Sequence, residues 1–229
     1  IIFRSCRKEF TQTLPGGQEE TNCVKLLGLH IDNNYRFYTH TEKVCQKLRF
    51  KIANISRVRP YLTESKAKLL TESLVLSTVS YMATLYLRVP TNQKKVQKMI
   101  NLAARTVLQA PPREHVVNLL RELYWLNARN YYEYLLICAL RRIRQGLMKA
   151  PVTFGELFLT RNQAQQRTRS TDIQVQWTRM NSHGQNSFAA MSCAGYNKYN
   201  LNPELFLSEE SFREIVKFRV YSKNENSNL

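Results

Sequence analysis

The sequence predicts a mainly α-helical protein with a β-hairpin at its N-terminal end and an irregular C-terminal region. Between residues 36 and 146, apolar residues recur at the three- and four-residue steps of amphipathic helices. Strand-like patterns are confined to short stretches, before residue 35 and around Ile173. The chain has 229 residues and is 43% hydrophobic, which is sufficient for a folded core.

The first segment, residues 1–35, predicts a β-hairpin. One apolar run is Ile1–Phe3, and a loop containing Pro15-Gly16-Gly17 separates it from a second strand-like run, Cys23–Ile31. Turn-forming residues, Asp32-Asn33-Asn34, follow the second run. A hairpin this short is not stable alone, so it must pack against another element.

Residues 36–110 predict a bundle of three helices joined by short connections. The first helix is expected to begin with a capping box, Thr39-x-x-Glu42, and the second to run from Thr63 to Leu87 as a central core helix. The third follows Pro90, with Thr91 as its N-cap. The apolar residues expected to face the core are Val44, Leu48, Ile52 and Ile55 in the first helix, Leu69, Leu70, Leu74, Val79, Met82 and Leu85 in the second, and Val96, Met99, Ile100, Ala103 and Val107 in the third.

Residues 111–146 predict a helical extension of that bundle. A short helix, Glu114–Leu123, precedes a longer one, Asn127–Gln145, which ends in an arginine cluster and Gly146. Basic residues in a last turn followed by glycine are ordinary helix stop signals. Two interpretations of Arg141 and Arg142 therefore stay open: helix capping and phosphate contact.

The C-terminal part predicts less regular structure. Residues 147–182 form a polar connector, mobile over 147–172, in which three residues alternate like a strand. Residues 183–229 form a C-terminal segment whose final amphipathic helix starts at Ser208. The alternating residues are Ile173, Val175 and Trp177, and the apolar stripe of the final helix is Phe212, Ile215, Val216 and Val220.

The charge of the chain points to a partner rich in phosphate. Lysine and arginine outnumber aspartate and glutamate by 34 to 17, which gives a formal charge of +17. Residues 36–150 hold 21 of the bases and six of the acids, so +15 of the charge lies there. A charge that served only solubility would not concentrate in this way. A solvated basic surface remains the alternative, and attachment to anionic lipid is disfavoured because the bundle core needs the apolar stripe.

Cations follow two of the predicted helices on their outward faces. Lys43, Lys47 and Lys51 form a stripe on the first helix, because a four-residue step advances only about 40° around the axis. The outward cations of the third helix are Lys94, Lys95, Lys98 and Arg105. The aromatic residues beside the first helix, which either stack on bases or join the core, are Tyr35, Phe37 and Tyr38.

The carboxylates needed for nucleotidyl transfer or most nuclease reactions are missing. Such reactions use two metal ions held by clustered carboxylates. The chain has only two aspartates, Asp32 in a turn-like segment and Asp172 in the polar connector, and turn chemistry explains both better than metal binding does. Pro15-Gly16-Gly17 lacks the phosphate-loop pattern, and no side chain lies in a recognisable nucleophile context. We expect no catalytic residue, metal site or cofactor in this chain.

The cysteines indicate a reducing, intracellular compartment, with nucleus and cytoplasm not distinguishable. They are odd in number, scattered and without a Cys-x-x-Cys pair, so core positions are expected. The longest apolar stretch, Leu74–Leu87, has about fourteen residues, short of the ~20 that span a bilayer, and predicts a buried helix. The cysteines are Cys6, Cys23, Cys45, Cys138 and Cys193.

The order of several motifs resembles the reverse transcriptases of non-LTR (LINE-like) retrotransposons, in the part that follows the polymerase catalytic motifs. Val24–Asp32 resembles the family's "K-x-LG-x-x-ID" hairpin, and a helix containing His40 follows it. Val96–Arg105 is similar to the family's "LQ-x-x-x-N-x-A-x-R" helix. The remaining landmarks, in order, are Ser80-Tyr81 with Tyr86, Leu123-Tyr124-Trp125-Leu126, Gly195-Tyr196-Asn197, Asn202-Pro203 and Phe212.

Two landmarks depart from the family pattern. Met82–Tyr86 stands where the family often has Gly-x-x-x-Trp, and the terminal "LWN-x-LP" is reduced to Tyr196-Asn197. The catalytic Tyr/Phe-x-Asp-Asp is not in this chain. The resemblance implies that it lies upstream of Ile1, where the opening Ile-Ile-Phe resembles a strand in mid-course.

The resemblance implies a role in gripping an RNA template and a DNA primer. Residues 36–110 then correspond to the polymerase thumb, and the hairpin to a primer grip, with Leu27 and Gly28 at its tip and Lys25 near the primer terminus. The parent enzyme is an RNA-directed DNA polymerase that uses Mg²⁺, and this chain without its N-terminal polymerase portion is expected to be inactive. The alternative is a stand-alone basic helical protein that binds RNA or DNA. The lysines and arginines expected to contact phosphates are Lys25, Lys43, Lys47, Lys51, Lys94, Lys95, Lys98, Arg105, Arg141 and Arg142.

Overall fold

The protein is described by a computed structural model, which covers residues 23–147, 158–160, 173–175, 188–199, 201 and 208–225. The predicted fold class is confirmed: helices dominate, and a two-stranded antiparallel hairpin lies at the N-terminal end of the described chain. The chain divides into two compact units, which meet in sequence between Ala128 and Arg129.

The hairpin consists of strands β1 (Cys23–Leu26) and β2 (Leu29–Asp32), paired antiparallel. The prediction of one strand over Cys23–Ile31 is therefore wrong, because Leu27 and Gly28 form a two-residue turn in its middle. Both have positive φ, 47° and 82°, as the tight turns that suit the twist of a hairpin require. The predicted first strand, Ile1–Phe3, lies outside the described residues.

Helix α1 (Tyr38–Val58) begins differently from the predicted capping box. Thr39 lies inside the helix, and the N-cap position is Phe37, in the left-handed conformation. The Asp32 carboxylate accepts the backbone N–H groups of Arg36 at 2.6 Å and Tyr38 at 3.1 Å. Asp32 therefore stabilises the turn that leads into α1, as turn chemistry predicted, and the capping role of Thr39 is wrong.

Three helices pack together in the first unit, as predicted. Helix α1 lies against α5 (Pro90–Leu108) and α2 (Glu64–Thr71), and α2 also contacts α5. Helix α1 ends at Val58 and continues as one 3₁₀ turn through Pro60. The predicted inward residues of α1 and α5 are all buried: Val44, Leu48, Ile52, Ile55, Val96, Met99, Ile100, Ala103 and Val107.

The predicted continuous helix over Thr63–Leu87 is broken. After α2, a π-helical segment (Glu72–Leu76) leads into α3 (Ser77–Ser80), and α4 (Ala83–Tyr86) follows a break at which Met82 has φ 54°. A π segment widens the turn, so residues four apart lie above one another. The residues that this spacing buries are Ala67, Thr71, Val75 and Val79.

Of the predicted core residues in this region, only Val79 is fully buried. Leu69 is 68% exposed, and Leu74 and Leu85 are also exposed. Leu70 and Met82 are half-buried. The prediction assumed a step of 3.6 residues throughout, which fails for Leu74 and Leu85 once the π segment intervenes. Leu69 and Leu70 precede that segment, and α2 buries the smaller residues Ala67 and Thr71 instead.

Helix α5 begins two residues earlier than predicted. Pro90 is its first residue, where the missing N–H costs no hydrogen bond, and Val89 is the N-cap, so the capping role of Thr91 is wrong. Buried Asn92 donates through Nδ2 to the carbonyls of Arg36 and Tyr86, at 2.8 and 2.9 Å. This one amide joins the start of α5 to the segment before α1 and to α4.

Helix α6 (Val116–Glu122) and helix α7 (Ala128–Arg144) agree closely with the predicted helices of the extension. Between them, Trp125 is buried and its Nε1–H donates to a carboxylate oxygen of Glu72 at 2.8 Å. This bond lies within the first unit and fixes the α6–α7 connection to the π segment.

In the second unit, strands β3 (Phe158–Thr160) and β4 (Ile173–Val175) pair antiparallel. The prediction of a polar connector over residues 147–182 missed β3, whereas the strand-like pattern at Ile173 is confirmed. Trp177 and most of the connector lie outside the described residues. Helix α8 (Phe188–Lys198) contacts β4.

The final described helix, α9 (Glu209–Glu225), starts one residue after the predicted Ser208. Phe212, Val216 and Val220 are buried, and Ile215 is half-buried. Over the described part of the chain, the apolar length of every helix falls short of what a membrane crossing needs.

Candidate nucleic-acid interface

Three lysines from two separate elements converge on the hairpin. Lys25 of β1 pairs with His30 of β2, so both side chains lie on the same face of the hairpin. Strand β2 packs on α1, and Lys43 and Lys47 are exposed on that helix. Burial and the charges of Lys43, Lys25 and Lys47 lower the pKa of His30. We call these three lysines the hairpin cation cluster.

His40 joins the hairpin to α1 at this cluster. Its Nδ1 accepts the backbone N–H of His30 at 3.4 Å, and its ring lies edge-on to Tyr86, 5.0 Å between centroids. Because Nδ1 is the acceptor, the proton of the neutral ring is on Nε2, towards the protein interior. His40 is only 3% exposed, and burial, with the charges of His30 and Lys47, lowers its pKa to about 4.

The third lysine of the predicted α1 stripe is turned into the bundle. Lys51 is half-buried, and its Nζ donates to the carbonyl of Leu74 at 3.0 Å and to Oγ1 of Thr78 at 2.6 Å. Each four-residue step moves the stripe about 40° around the helix. Lys43 and Lys47 are therefore exposed, whereas Lys51, the next residue of the stripe, lies towards the bundle. The ammonium group of Lys51 therefore serves the packing of α1 on the π segment and α3.

The α5 cations differ in their surroundings. Lys94 and Lys98 are exposed on the face opposite the buried stripe of α5. Lys95 instead lies beside α1 and forms an ion pair with Glu42, 2.9 Å between Nζ and Oε1. Arg105 is half-buried and its Nη2 approaches the carbonyl of Glu114 at 3.4 Å. Lys94 and Lys98 remain the available α5 cations.

The hairpin tip is held by a distant tyrosine. The phenol of Tyr81 donates to the carbonyl of Leu27, 54 residues away in sequence. The ring of Tyr81 also lies close to Gly28, where a Cβ atom would come 3.8 Å from the phenol oxygen. Leu27 itself is 76% exposed, so the two predicted primer-grip residues form a fixed and accessible tip.

The two arginines proposed from the end of α7 lie in the second unit and have different roles. Arg141 is buried, 2% exposed, with its guanidinium 4.4 Å from the centroid of the Phe212 ring. This burial favours a packing role for Arg141, and its contact with phosphate stays a prediction. Arg142 is exposed and faces Glu209, 3.8 Å between Nε and Oε1.

The three aromatic residues near the start of α1 were expected either to stack on bases or to join the core, and they differ in burial. Phe37 is buried in the core of the first unit. Tyr35 and Tyr38 are partly exposed, and the phenol of Tyr38 accepts a bond from Arg36 at 3.3 Å. Tyr35 lies on the segment between the hairpin and α1, and Tyr38 is the first residue of α1.

Within the described residues, no cluster of three or more histidine, cysteine, aspartate or glutamate side chains has metal-site geometry. Asp32 is engaged with the backbone, as shown above. Cys23, Cys45, Cys138 and Cys193 are free thiols, of which Cys45 and Cys193 are buried as predicted. Burial raises the pKa of the Cys193 thiol to about 12, so this group is unreactive near neutral pH.

Sequence reasoning missed His30 as the centre of the cation cluster and Tyr124 as an exposed ring. Once Leu27-Gly28 is recognised as the turn, Lys25 and His30 become cross-strand partners, and this pairing is the sequence signal that could have predicted the role of His30.

No protein-family model, curated protein or solved structure matches the chain.

Proposed function

We propose that this chain grips template-primer nucleic acid as the thumb and C-terminal part of a retrotransposon reverse transcriptase. The hairpin cation cluster carries the proposal, because it unites Lys25 of the hairpin with Lys43 and Lys47 of α1. The fixed tip at Leu27 lies on the same hairpin, next to these cations. Exposed ammonium groups contact phosphates without selecting a base sequence, which suits a polymerase that must move along its substrate.

In this proposal, catalysis belongs to another part of the polymerase. In the family that the motifs resemble, the carboxylates and their Mg²⁺ ions belong to an N-terminal polymerase portion, and we propose the same division here, with an intracellular site of action. The 229-residue chain then binds a primer-template but does not extend the primer, even with Mg²⁺ and nucleotides. Primer extension by this chain alone would contradict that assignment.

The salt dependence of affinity tests whether the chain binds a primer-template through phosphate contacts. For the wild-type chain, log affinity for a primer-template duplex should fall linearly with log salt, by about 0.9 per phosphate contact. The triple variant Lys25→Gln, Lys43→Gln, Lys47→Gln should lose roughly two to three units of slope. Fluorescence anisotropy with a labelled duplex at several KCl concentrations measures both.

A matched variant separates a local grip from diffuse charge. Lys66, Arg113 and Lys217 are exposed and belong to neither the hairpin nor α1, and replacing all three with glutamine removes the same number of charges. This variant should lose less than about one unit of slope. Equal losses in the two triple variants would contradict the cluster as the binding site. Equal affinity for a primer-template junction and a duplex lacking one would favour a stand-alone basic nucleic-acid-binding protein.

A further inference from the structure

Helix α6 ends in a turn whose left-handed position is occupied by Tyr124, with φ 54°. Trp125 N–H donates to the carbonyl of Leu120 at 2.9 Å, and Tyr124 N–H to that of Arg121 at 3.0 Å. These two bonds define a Schellman motif, in which the left-handed residue is usually glycine because a Cβ atom is strained there.

The end of α7 shows the same motif with the expected residue. Gly146 has φ 67°, and the N–H groups of Gly146 and Leu147 donate to the carbonyls of Ile143 and Arg142 at 3.0 and 2.9 Å. The backbone at the end of α6 therefore forms the same turn while carrying a large side chain. A bulky residue in this conformation is uncommon and strained.

Packing does not explain the tyrosine. Its neighbours Leu123 and Trp125 are buried, whereas the side chain of Tyr124 is 67% exposed. The buried neighbours and the bond from Trp125 to Glu72 fix the backbone on both sides. The phenol ring is therefore held outwards from a rigid turn.

A cation accompanies the ring. Nζ of Lys68, on α2, lies 5.8 Å from the centroid of the Tyr124 ring. Exposed aromatic rings beside lysine or arginine are the stacking positions of proteins that bind single-stranded nucleic acid. Bases within a duplex already stack on their neighbours, so the ligand that fits an exposed ring is an unpaired base.

We infer that Tyr124 and Lys68 form a stacking site for an unpaired nucleobase, with the ammonium group of Lys68 meeting the adjacent phosphate. The inference rests on the proposed function, since it adds a single-strand contact to a chain that binds nucleic acid. Every base presents an aromatic face, so this site tolerates any base sequence.

The test compares a blunt duplex with the same duplex bearing a single-stranded extension, at one salt concentration. The wild-type chain binds the extended duplex more tightly. Tyr124→Gly reduces that advantage by roughly 5-fold to 150-fold, the loss typical of one stacked base, and leaves blunt-duplex affinity unchanged. Tyr124→Phe retains the advantage because the ring remains. Tyr61→Ala, which removes another highly exposed tyrosine ring, is the matched control and retains it too.

Thermal stability distinguishes a binding role of the Tyr124 ring from a structural role. Glycine relieves the strain at position 124, so Tyr124→Gly has a Tm no lower than the wild type, whereas Tyr124→Ala keeps the strain and loses the same binding. A lower Tm for Tyr124→Gly would overturn the inference by making the ring structural.

The two proposals fail in distinguishable ways. If Tyr124→Gly keeps the full advantage of the extended duplex while binding stays salt-dependent, the stacking site is wrong and the proposed function stands. If the wild-type chain binds neither duplex in a salt-dependent way, the proposed function is wrong and the stacking site falls with it.

Discussion

Helix α1 and the end of helix α7 both carry closely spaced cations in the sequence, yet their side chains have different environments. Lys43 and Lys47 of α1 are exposed, and α1 packs on strand β2 of the hairpin. Arg141 of α7 is buried against Phe212, and Arg144 lies with its guanidinium 5.7 Å from the centroid of the Tyr196 ring. A dense run of cations therefore does not by itself identify a phosphate-binding surface.

The position of each cation relative to the apolar stripe explains the difference. Arg141 follows Ile137 by four residues and adjoins Leu140, and both of these residues are fully buried. It therefore shares the buried face of α7. Lys43 and Lys47 lie to one side of the buried stripe of α1, where their ammonium groups reach solvent. A long cationic side chain on the buried face of a helix packs in the core. One that lies beside this face keeps its charged group in solvent.

The largest expected effect is at Arg141. Arg141→Ala should lower the free energy of unfolding by about 4 kcal/mol, because it removes a large buried side chain and its contact with Phe212. Arg142→Ala should cost less than about 1 kcal/mol, since its ion pair with Glu209 is solvent-exposed. Urea denaturation followed by circular dichroism measures both, and equal costs would contradict the contrast between the two arginines.

The support of the hairpin cation cluster should depend on pH. The folded-state pKa of His40, about 4, lies below the ordinary histidine value of 6.5, so between these values the unfolded chain binds a proton that the folded chain does not. Stability from neutral His40 is fully present above pH 6.5 and falls as the pH drops towards 4. The fall should be at most about 3 kcal/mol, in urea denaturation repeated across this range.

A variant isolates this histidine from other titrating groups. His40→Gln keeps an acceptor for the His30 N–H but cannot titrate, so the decline between pH 6.5 and 4 should become shallower by the contribution of one proton. The carboxylates still titrate in both proteins and cancel in the comparison, whereas His30, whose charge lowers the pKa of His40, contributes to the difference. An unchanged pH profile would exclude His40 as the source.

The smallest expected effect distinguishes two lysines of one stripe. Lys51→Met should lower the free energy of unfolding by about 1 kcal/mol, because the bonds from Nζ to Leu74 and Thr78 are lost. Lys47→Met should leave stability within about 0.5 kcal/mol and reduce the salt slope of binding by about one. A larger loss of slope in Lys51→Met than in Lys47→Met would reverse the assignment.

Much of the first unit could be predicted from regular periodicity. The buried faces of α1 and α5 follow a constant helical step, so the apolar positions of these helices were predicted correctly. The region from Thr63 to Leu87 was not, because a π segment and the left-handed Met82 interrupt the step, and neither has a clear signal in the sequence. The capping roles of Thr39 and Thr91 failed because Asp32 and Pro90 shape those helix starts instead.

The candidate site was predictable only in part. Sequence spacing selected Lys43 and Lys47 correctly as outward residues and included Lys51 and Arg141, which the fold turns inward. Whether a long cationic side chain reaches solvent depends on what the neighbouring helices place beside it, and this depends on contacts such as Thr78 with Lys51 and Phe212 with Arg141.

The sequence by itself determined the mainly helical class, the concentration of charge between residues 36 and 150 and the scarcity of aspartate, because these depend on local periodicity and composition. Only the tertiary structure decided which cation-bearing elements pack together. Lys25 and Lys47 lie far apart in the chain, and pairing of the hairpin and its packing on α1 bring both to His30. The outward display of Tyr124 is also a tertiary result, since buried Leu123 and Trp125 hold the strained turn between them.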